Sequence, residues 1–153
     1  MSAFDSYRLA LVLIASIDAI YNDIRYLQIP NRVSAFLVVG GLILQLVFKG
    51  REGIGQAFVG GLIGFCIPLI FYIFDQLGGG DLKLFGAFGF LLGGIWPVLR
   101  FLQFTTLVGG LIVLIFLVNQ AIFRFPSQKS LLIPYAPAIC VGALLTLLGK
   151  KIF

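Results

Sequence analysis

The chain has 153 residues, of which 60% are hydrophobic and 11% are charged, and its formal net charge is +5. Soluble domains carry about a quarter charged residues, so this composition excludes an ordinary soluble protein and indicates several membrane-spanning segments. We attribute the positive charge to loops that meet lipid headgroups. No basic run is long enough to hold a phosphate backbone, so no nucleic-acid partner is expected.

The apolar runs predict an all-α integral membrane protein that forms one domain over residues 1–153. A helix of about 20 apolar residues crosses a bilayer, and most of the runs approach that length. The first run follows few positive charges and leads directly into a polar motif, so we interpret it as a helix and not as a cleaved signal peptide. The six predicted transmembrane helices are residues 6–23, 32–48, 54–74, 84–99, 101–123 and 131–148.

Glycine, proline and charge mark the connections between these helices. Pro30 suits the start of the second helix, and Lys49–Gly53 predicts a tight turn before the third. Trp96 is expected near the end of the fourth helix as an interfacial anchor. Pro134 and Pro137 are expected to kink the sixth helix.

The absence of histidine restricts the possible chemistry. Serine–histidine and cysteine–histidine mechanisms are excluded, as are histidine-ligated metals. Cys66 and Cys140 lie inside apolar runs and form no Cys-x-x-Cys pair, so we interpret them as buried thiols and expect neither a metal site nor a cofactor. Carboxylates are the reactive groups that remain.

Asp23 and Asp81 stand where apolar segments meet polar loops. A carboxylate at a membrane edge is costly, so it marks a candidate functional site. With six spans, the loops at 24–31 and 75–83 lie on one side of the membrane, and the two carboxylates share that face. Asp18 is a rival to Asp23, but five residues at about 100° each place it on another helix face. There we expect it to pair with a basic or polar group inside the bundle.

Two neighbouring carboxylates hydrolyse a peptide bond when one is ionised and the other is protonated. Because like charges repel, one pKa rises and the pair shares a proton. Gly78, Gly79 and Gly80 precede Asp81 and predict a hinge that admits a substrate backbone. We expect a stiff β-branched residue at Gly80 to be the most harmful change, because it tolerates positive φ badly.

Three motifs together resemble a known family. Asp23 is followed by Ile29–Asn31, the second carboxylate lies in Gly78–Lys83, and the last apolar run contains Ile133–Ala138. In order and spacing, over most of the chain, they resemble the type IV prepilin peptidases, which are aspartic peptidases of the GxGD type. The resemblance implies a GxGD architecture with Asp23 and Asp81 as the catalytic pair. It also implies that Gly78 and Gly80 are motif glycines and that Gly79 is variable.

The resemblance implies a substrate and an orientation as well. The substrate is a prepilin-like protein (pilin, pseudopilin or archaeal flagellin-like) whose short basic leader is cut at the cytoplasmic face of the cell membrane. Both termini then lie outside; loop cations, five on the side of the carboxylates and six on the other, leave this orientation open. Larger members carry an N-terminal domain with paired Cys-x-x-Cys motifs. We find no such motifs in these 153 residues and expect a short form, so the resemblance leaves the N-methyltransferase activity of the larger members open.

Four residues near the two carboxylates have further candidate roles. Pro30 and Asn31 belong to the first motif. Lys83 either tunes Asp81 or contacts lipid headgroups. Asp75 is either a solvated loop charge or a contact for the basic leader of the substrate.

Two other functions fit part of the pattern. A protease of the presenilin or signal-peptide-peptidase type shares the GxGD motif, but that class is longer and lacks Ile29–Asn31. A non-enzymatic small transporter or assembly subunit would hold carboxylates near the middle of the bilayer. Only Asp18 approaches that depth.

Overall fold

The structure, a computed structural model, describes residues 2–123 and 135–149. All regular secondary structure in these two ranges is helical. Five helices follow one another in the described chain: α1 (Ala3–Tyr26), α2 (Asn31–Ile73), α3 (Gly79–Leu92), α4 (Ile95–Phe123) and α5 (Ala136–Gly149).

Helix α1 has defined caps at both ends. The Ser2 hydroxyl accepts a hydrogen bond from the Asp5 backbone N–H at 3.2 Å, which satisfies one of the unpaired donors of the first turn. At the other end Leu27 adopts the left-handed conformation (φ 51°), and its N–H donates to the Asp23 carbonyl at 2.9 Å. This cap ends the helix directly after the turn that carries Asp23.

Helix α2 contains the second and third predicted helices. Gly50 interrupts it with φ 62° and ψ −144°, a conformation that favours glycine. The predicted turn at Lys49–Gly53 is therefore one residue and not five. Both halves of α2 pack on α3: a Cβ at Gly41 would meet the Leu91 backbone at 2.7 Å, and one at Gly60 would meet the Gly89 carbonyl oxygen. Small residues allow this close backbone approach.

The fourth predicted helix, 84–99, is wrong in both of its ends. Helix α3 begins at Gly79 and stops at Leu92, because Gly93 (φ 62°) and Gly94 (φ 78°) leave the helical region. Trp96 consequently lies in the first turn of α4, and not at the end of a fourth span. It stays 76% exposed, as an interfacial anchor requires.

The kink expected at Pro137 is wrong, because α5 begins only one residue earlier, at Ala136. This proline lies in the first turn of the helix, where proline needs no backbone partner and its fixed φ is favourable. Pro134 and the start of the predicted sixth helix lie outside the described residues. Helix α5 packs against α1 and α4, which brings its N-terminus close to Asp23.

Two of the described helices are long and apolar enough to cross a membrane. They are α2 and the Ile95–Asn119 part of α4, and α5 is a shorter apolar helix. Large apolar side chains such as Ile17 and Ile73 point outward, whereas the centre is filled by Leu84, Phe88 and Phe101. Such an apolar exterior matches lipid and not water.

Candidate active site

A cavity of about 350 Å³ opens between the end of α1 and the start of α3. It collects residues from three places: the last turn of α1, the loop that follows it, and the first turns of α3 with the glycines before them. Its lining is Asp23, Leu27, Gln28, Ile29, Gly78, Gly79, Gly80, Asp81 and Lys83. The two carboxylates that the sequence places on one face therefore line one cavity.

Asp23 is held by the N-terminus of another helix. Its side chain is 6% exposed, and its Oδ2 accepts a hydrogen bond from the backbone N–H of Ala136 at 2.9 Å. Ala136 is the first residue of α5, so the positive end of that helix faces the carboxylate. Burial opposes ionisation of Asp23, and the hydrogen bond from this N–H offsets part of that cost because it stabilises the charged form.

Asp81 lies in the first turn of α3 and has a different environment. Burial and the negative charge of Asp23 raise the pKa of Asp81 to about 7, although the Gly78 N–H acts in the opposite direction. Its Oδ1 is buried and has no hydrogen-bond partner among the described residues. Near neutral pH this carboxyl holds a proton in a large fraction of molecules, and it has an unoccupied oxygen beside the cavity.

Gly78 and Gly80 are close-contact positions, and none of the three glycines before Asp81 is a hinge with positive φ. Gly78 has φ −70°, and Gly79 and Gly80 already belong to α3; the described glycines with positive φ are Gly50, Gly93 and Gly94. The positive-φ argument for Gly80 is therefore wrong, because the residue starts a regular helix.

Steric contacts explain Gly78 and Gly80 instead. A Cβ at Gly80 would lie 3.2 Å from the Ile29 Cβ and 3.3 Å from the Ile29 backbone nitrogen. A Cβ at Gly78 would lie 3.0 Å from Asp81 Oδ2, whereas one at Gly79 would meet only a Tyr72 ring atom at 3.6 Å. Gly80 thus lets α3 approach the loop after α1.

Lys83 forms a contact between the first turns of two helices. Its Nζ donates to the Asn31 Oδ1 at 3.1 Å, and Asn31 begins α2 directly after Pro30, which acts as its N-cap residue with φ −64°. Two motif residues, Asn31 and Lys83, are thereby joined at the edge of the cavity. Neither role predicted for Lys83 included this partner.

Asp18 lies outside the cavity and has a basic partner. Its two carboxylate oxygens accept hydrogen bonds from Arg32 at 3.0 and 3.1 Å, and Asn22 donates to it as well. The predicted pairing is confirmed, but its expected place inside the bundle is wrong, since the Asp18 and Arg32 side chains are 38% and 70% exposed.

Asp75 is exposed in the connection before α3 and does not line the cavity. Its contact with a substrate leader stays a prediction. Among the described residues, no three His, Cys, Asp or Glu side chains lie together as a metal site requires.

Sequence reasoning missed the Ala136 N–H, because a backbone donor leaves no mark in side-chain composition. The available signal was Pro137: a proline favours the first turn of a helix, so the residue before it offers a free N–H. Hydropathy alone instead predicts a kink at that proline, because the apolar run continues through it.

Comparison with known proteins places these motifs in a family. Residues 9–118, which include Asp23 and Asp81, match the type IV leader peptidase family. The prepilin leader peptidase/N-methyltransferase of Bacillus subtilis (strain 168) is 31% identical over 132 residues, covering 82% of this chain and 49% of that protein. The chain thus spans about half the length of this relative. No solved structure matches the chain. The chain belongs to the type IV leader peptidase family.

Proposed function

We propose that this chain is a membrane-embedded aspartic endopeptidase that removes the leader from prepilin-like proteins. The observation that carries the proposal is the pairing of Asp23 and Asp81 along one cavity, where the charge of the first helps to raise the pKa of the second to about 7. A pair that shares one proton supplies both an acid and a base. Family membership supplies the substrate class.

The environments of the two carboxylates suggest their roles. Asp23, with the Ala136 N–H on its Oδ2, acts as the base and takes a proton from a water molecule. The oxygen of that water forms a bond to the scissile carbonyl carbon while protonated Asp81 hydrogen-bonds the carbonyl oxygen. The carbon–nitrogen bond then breaks, and the departing amine takes up a proton from the pair. Neither step needs a cofactor.

The proposed topology has six spans in one domain over residues 1–153, with the cavity at the cytoplasmic face of the cell membrane. The break at Gly50 supports it, because the two halves of α2 both pack on α3 and so fold back on each other. Six spans put both termini on the same side of the membrane. With the cavity at the cytoplasmic face, that side is the outside. The proposed partners are a pilin, pseudopilin or archaeal flagellin-like substrate and the bilayer itself.

Family membership favours this function over a protease of the presenilin type. A transporter or assembly subunit would need an unneutralised carboxylate at membrane depth. Asp18, its candidate, forms an ion pair with Arg32 at the protein surface, which argues against Asp18 in that role.

A cleavage assay tests the activity. The purified full chain in detergent is mixed with a prepilin, a pseudopilin and an archaeal preflagellin, each bearing its leader. We expect a shortened product from at least one, with the new N-terminus just before the apolar helix. A folded protein that cuts none of the three would refute the proposal.

Cysteine labelling tests the topology. After Cys66 and Cys140 are replaced by serine, Gln28→Cys and Gln76→Cys should react with a membrane-impermeant reagent only from the cytoplasmic side. Arg51→Cys and Arg100→Cys should react only from outside. Reaction of the first two from opposite sides would separate the carboxylates and contradict the proposed site.

A further inference from the structure

The end of α1 away from Asp23 has two cavities of its own. Arg8 and Asp23 are 15 residues apart, which is about 22 Å along a helix axis. Cavities of about 680 and 330 Å³ flank this end of the molecule. They share Arg8, Leu92, Trp96 and Pro97, and we refer to them as the Arg8 cavities.

Arg8 is a buried cation with spare hydrogen-bonding capacity. Its side chain is 1% exposed, one Nη donates to the Leu92 carbonyl at 2.5 Å, and the guanidinium lies 3.9 Å from the centre of the Phe4 ring. The bond to Leu92 caps the last residue of α3. Its Nε–H, however, has no hydrogen-bond partner among the described residues, and an unpaired buried donor is costly. Capping α3 therefore uses only part of the hydrogen-bonding capacity of this side chain.

The charges that line the Arg8 cavities favour an anion. Three cations, Arg8, Lys49 and Arg100, face one carboxylate, Glu52. Asp5 also interacts with Arg8 electrostatically, from one helical turn away. Even when Asp5 is counted, the cations outnumber the acids among the described residues around these cavities. A buried charge needs a counter-charge, and this cluster retains an excess of positive charge.

The walls of the larger cavity are apolar. Val59, Leu92, Ile95, Trp96 and Pro97 line it, and Trp96 stays exposed at its edge. Tryptophan is enriched at the level of lipid headgroups. A volume of about 680 Å³ far exceeds that of an inorganic phosphate. Cations beside apolar walls match a ligand that has an anionic head and a hydrocarbon body.

We propose that the Arg8 cavities bind the headgroup of an anionic phospholipid. The phosphate lies towards Arg8, Lys49 and Arg100. The glycerol and acyl chains lie along the apolar wall of the larger cavity, which has Trp96 at its exposed edge. The site lies at the opposite end of α1 from the two carboxylates, so it is independent of the proposed peptidase activity.

The test measures lipid binding to the delipidated full chain in detergent. Phosphatidylglycerol, phosphatidylcholine and inorganic phosphate are titrated separately, with thermal stabilisation and native mass spectrometry as the measurements. Arg100→Gln removes an exposed cation of the lining. Arg51→Gln is the matched control, because Arg51 is exposed near Lys49 but does not line either cavity.

We expect phosphatidylglycerol to bind and stabilise the wild type more strongly than phosphatidylcholine does. Each cation near a membrane surface contributes about fivefold to anionic lipid affinity, so Arg100→Gln should weaken phosphatidylglycerol binding about fivefold. Arg51→Gln should leave it within about twofold, because Arg51 lines neither cavity and solvent screens its charge from a bound headgroup. Arg8→Gln should cause the largest loss in protein that still folds.

Three results would overturn the proposal. Equal affinity for the two lipids would remove the requirement for an anion. Equal weakening by Arg51→Gln and Arg100→Gln would show a diffuse surface effect and no cavity. Stabilisation by inorganic phosphate as strong as that by phosphatidylglycerol would identify a free-anion site and refute the lipid assignment.

Discussion

Helix α1 presents two aspartates in two very different regions. Asp18 meets Arg32 at the surface through two hydrogen bonds, so its charge is neutralised by a cation. Asp23 is buried beside the cavity that Asp81 also lines, and neither of these two forms an ion pair among the described residues. A carboxylate that is paired with arginine stays ionised, whereas a pair without a cation shares a proton. The contacts that each carboxylate makes in the folded structure, and not its position along the sequence, distinguish a candidate catalytic site from a surface ion pair.

The largest predicted effect comes from amide substitution in the two regions. Asp23→Asn and Asp81→Asn should each lower the cleavage rate by about 1,000-fold or more, because an amide replaces the base or the acid. Asp18→Asn is the matched control and should stay within about threefold, since an exposed ion pair contributes little. Initial rates and thermal stability of the three variants are the measurements. An active Asp23→Asn enzyme together with an inactive Asp18→Asn enzyme would reverse the assignment.

A pH profile sharpens the same comparison. The acid must be protonated, and Asp81, whose pKa is raised to about 7, loses its proton as the pH rises through that value. The rate should therefore fall on the alkaline side, by about 50-fold from pH 7 to pH 9. Asp18→Asn should leave this limb in place. A rate that stays constant to pH 9 would contradict the role of Asp81 as the acid.

Gly80→Val tests the close contact between α3 and the loop after α1. The new Cβ would lie 3.2 Å from the Ile29 Cβ, and the two γ-methyl groups beyond it would displace the first turn of α3, which carries Asp81, by roughly 0.7 Å. A displacement of 1 Å costs about 100-fold, so we expect about a 30-fold loss of rate. Gly79→Ala, which meets only Tyr72 at ordinary contact distance, should keep near-normal activity. Similar rates for the two variants would refute the steric argument.

The shared location of Asp23 and Asp81 was predictable because charged residues are so scarce in this chain. Their positions at the ends of apolar runs, and the parity of those runs, predict that they lie close together, and both line one cavity. The helix ends at Gly93 and Gly94 were not predictable from hydropathy, because the apolar run continues through both glycines. Only their positive φ reveals the break.

The environment of each carboxylate was predictable only in part. The helical period of 100° per residue separated Asp18 from Asp23, but it did not identify Arg32 as the partner of Asp18. The burial of Arg8 also escaped prediction, since a cation in the first turns of a helix resembles an ordinary loop charge. Such contacts depend on tertiary packing between distant segments.

The smallest predicted effect concerns the Ala136 backbone N–H, whose hydrogen bond distinguishes the environment of Asp23 from that of Asp18. Ala136→Pro removes the N–H that bonds Asp23 Oδ2, at a helix start where proline is otherwise tolerated. A hydrogen bond to a charged group is worth about 1.5 kcal/mol or more, so the rate should fall about tenfold. Ala136→Gly keeps the N–H and is the matched control. Without the donor, ionised Asp23 is less stable and takes up a proton at higher pH, so the acid limb of the rate profile should move to higher pH in the proline variant alone. A loss of rate with an unchanged acid limb would mean that Ala136 only packs against α1, and that α5 does not hold the base.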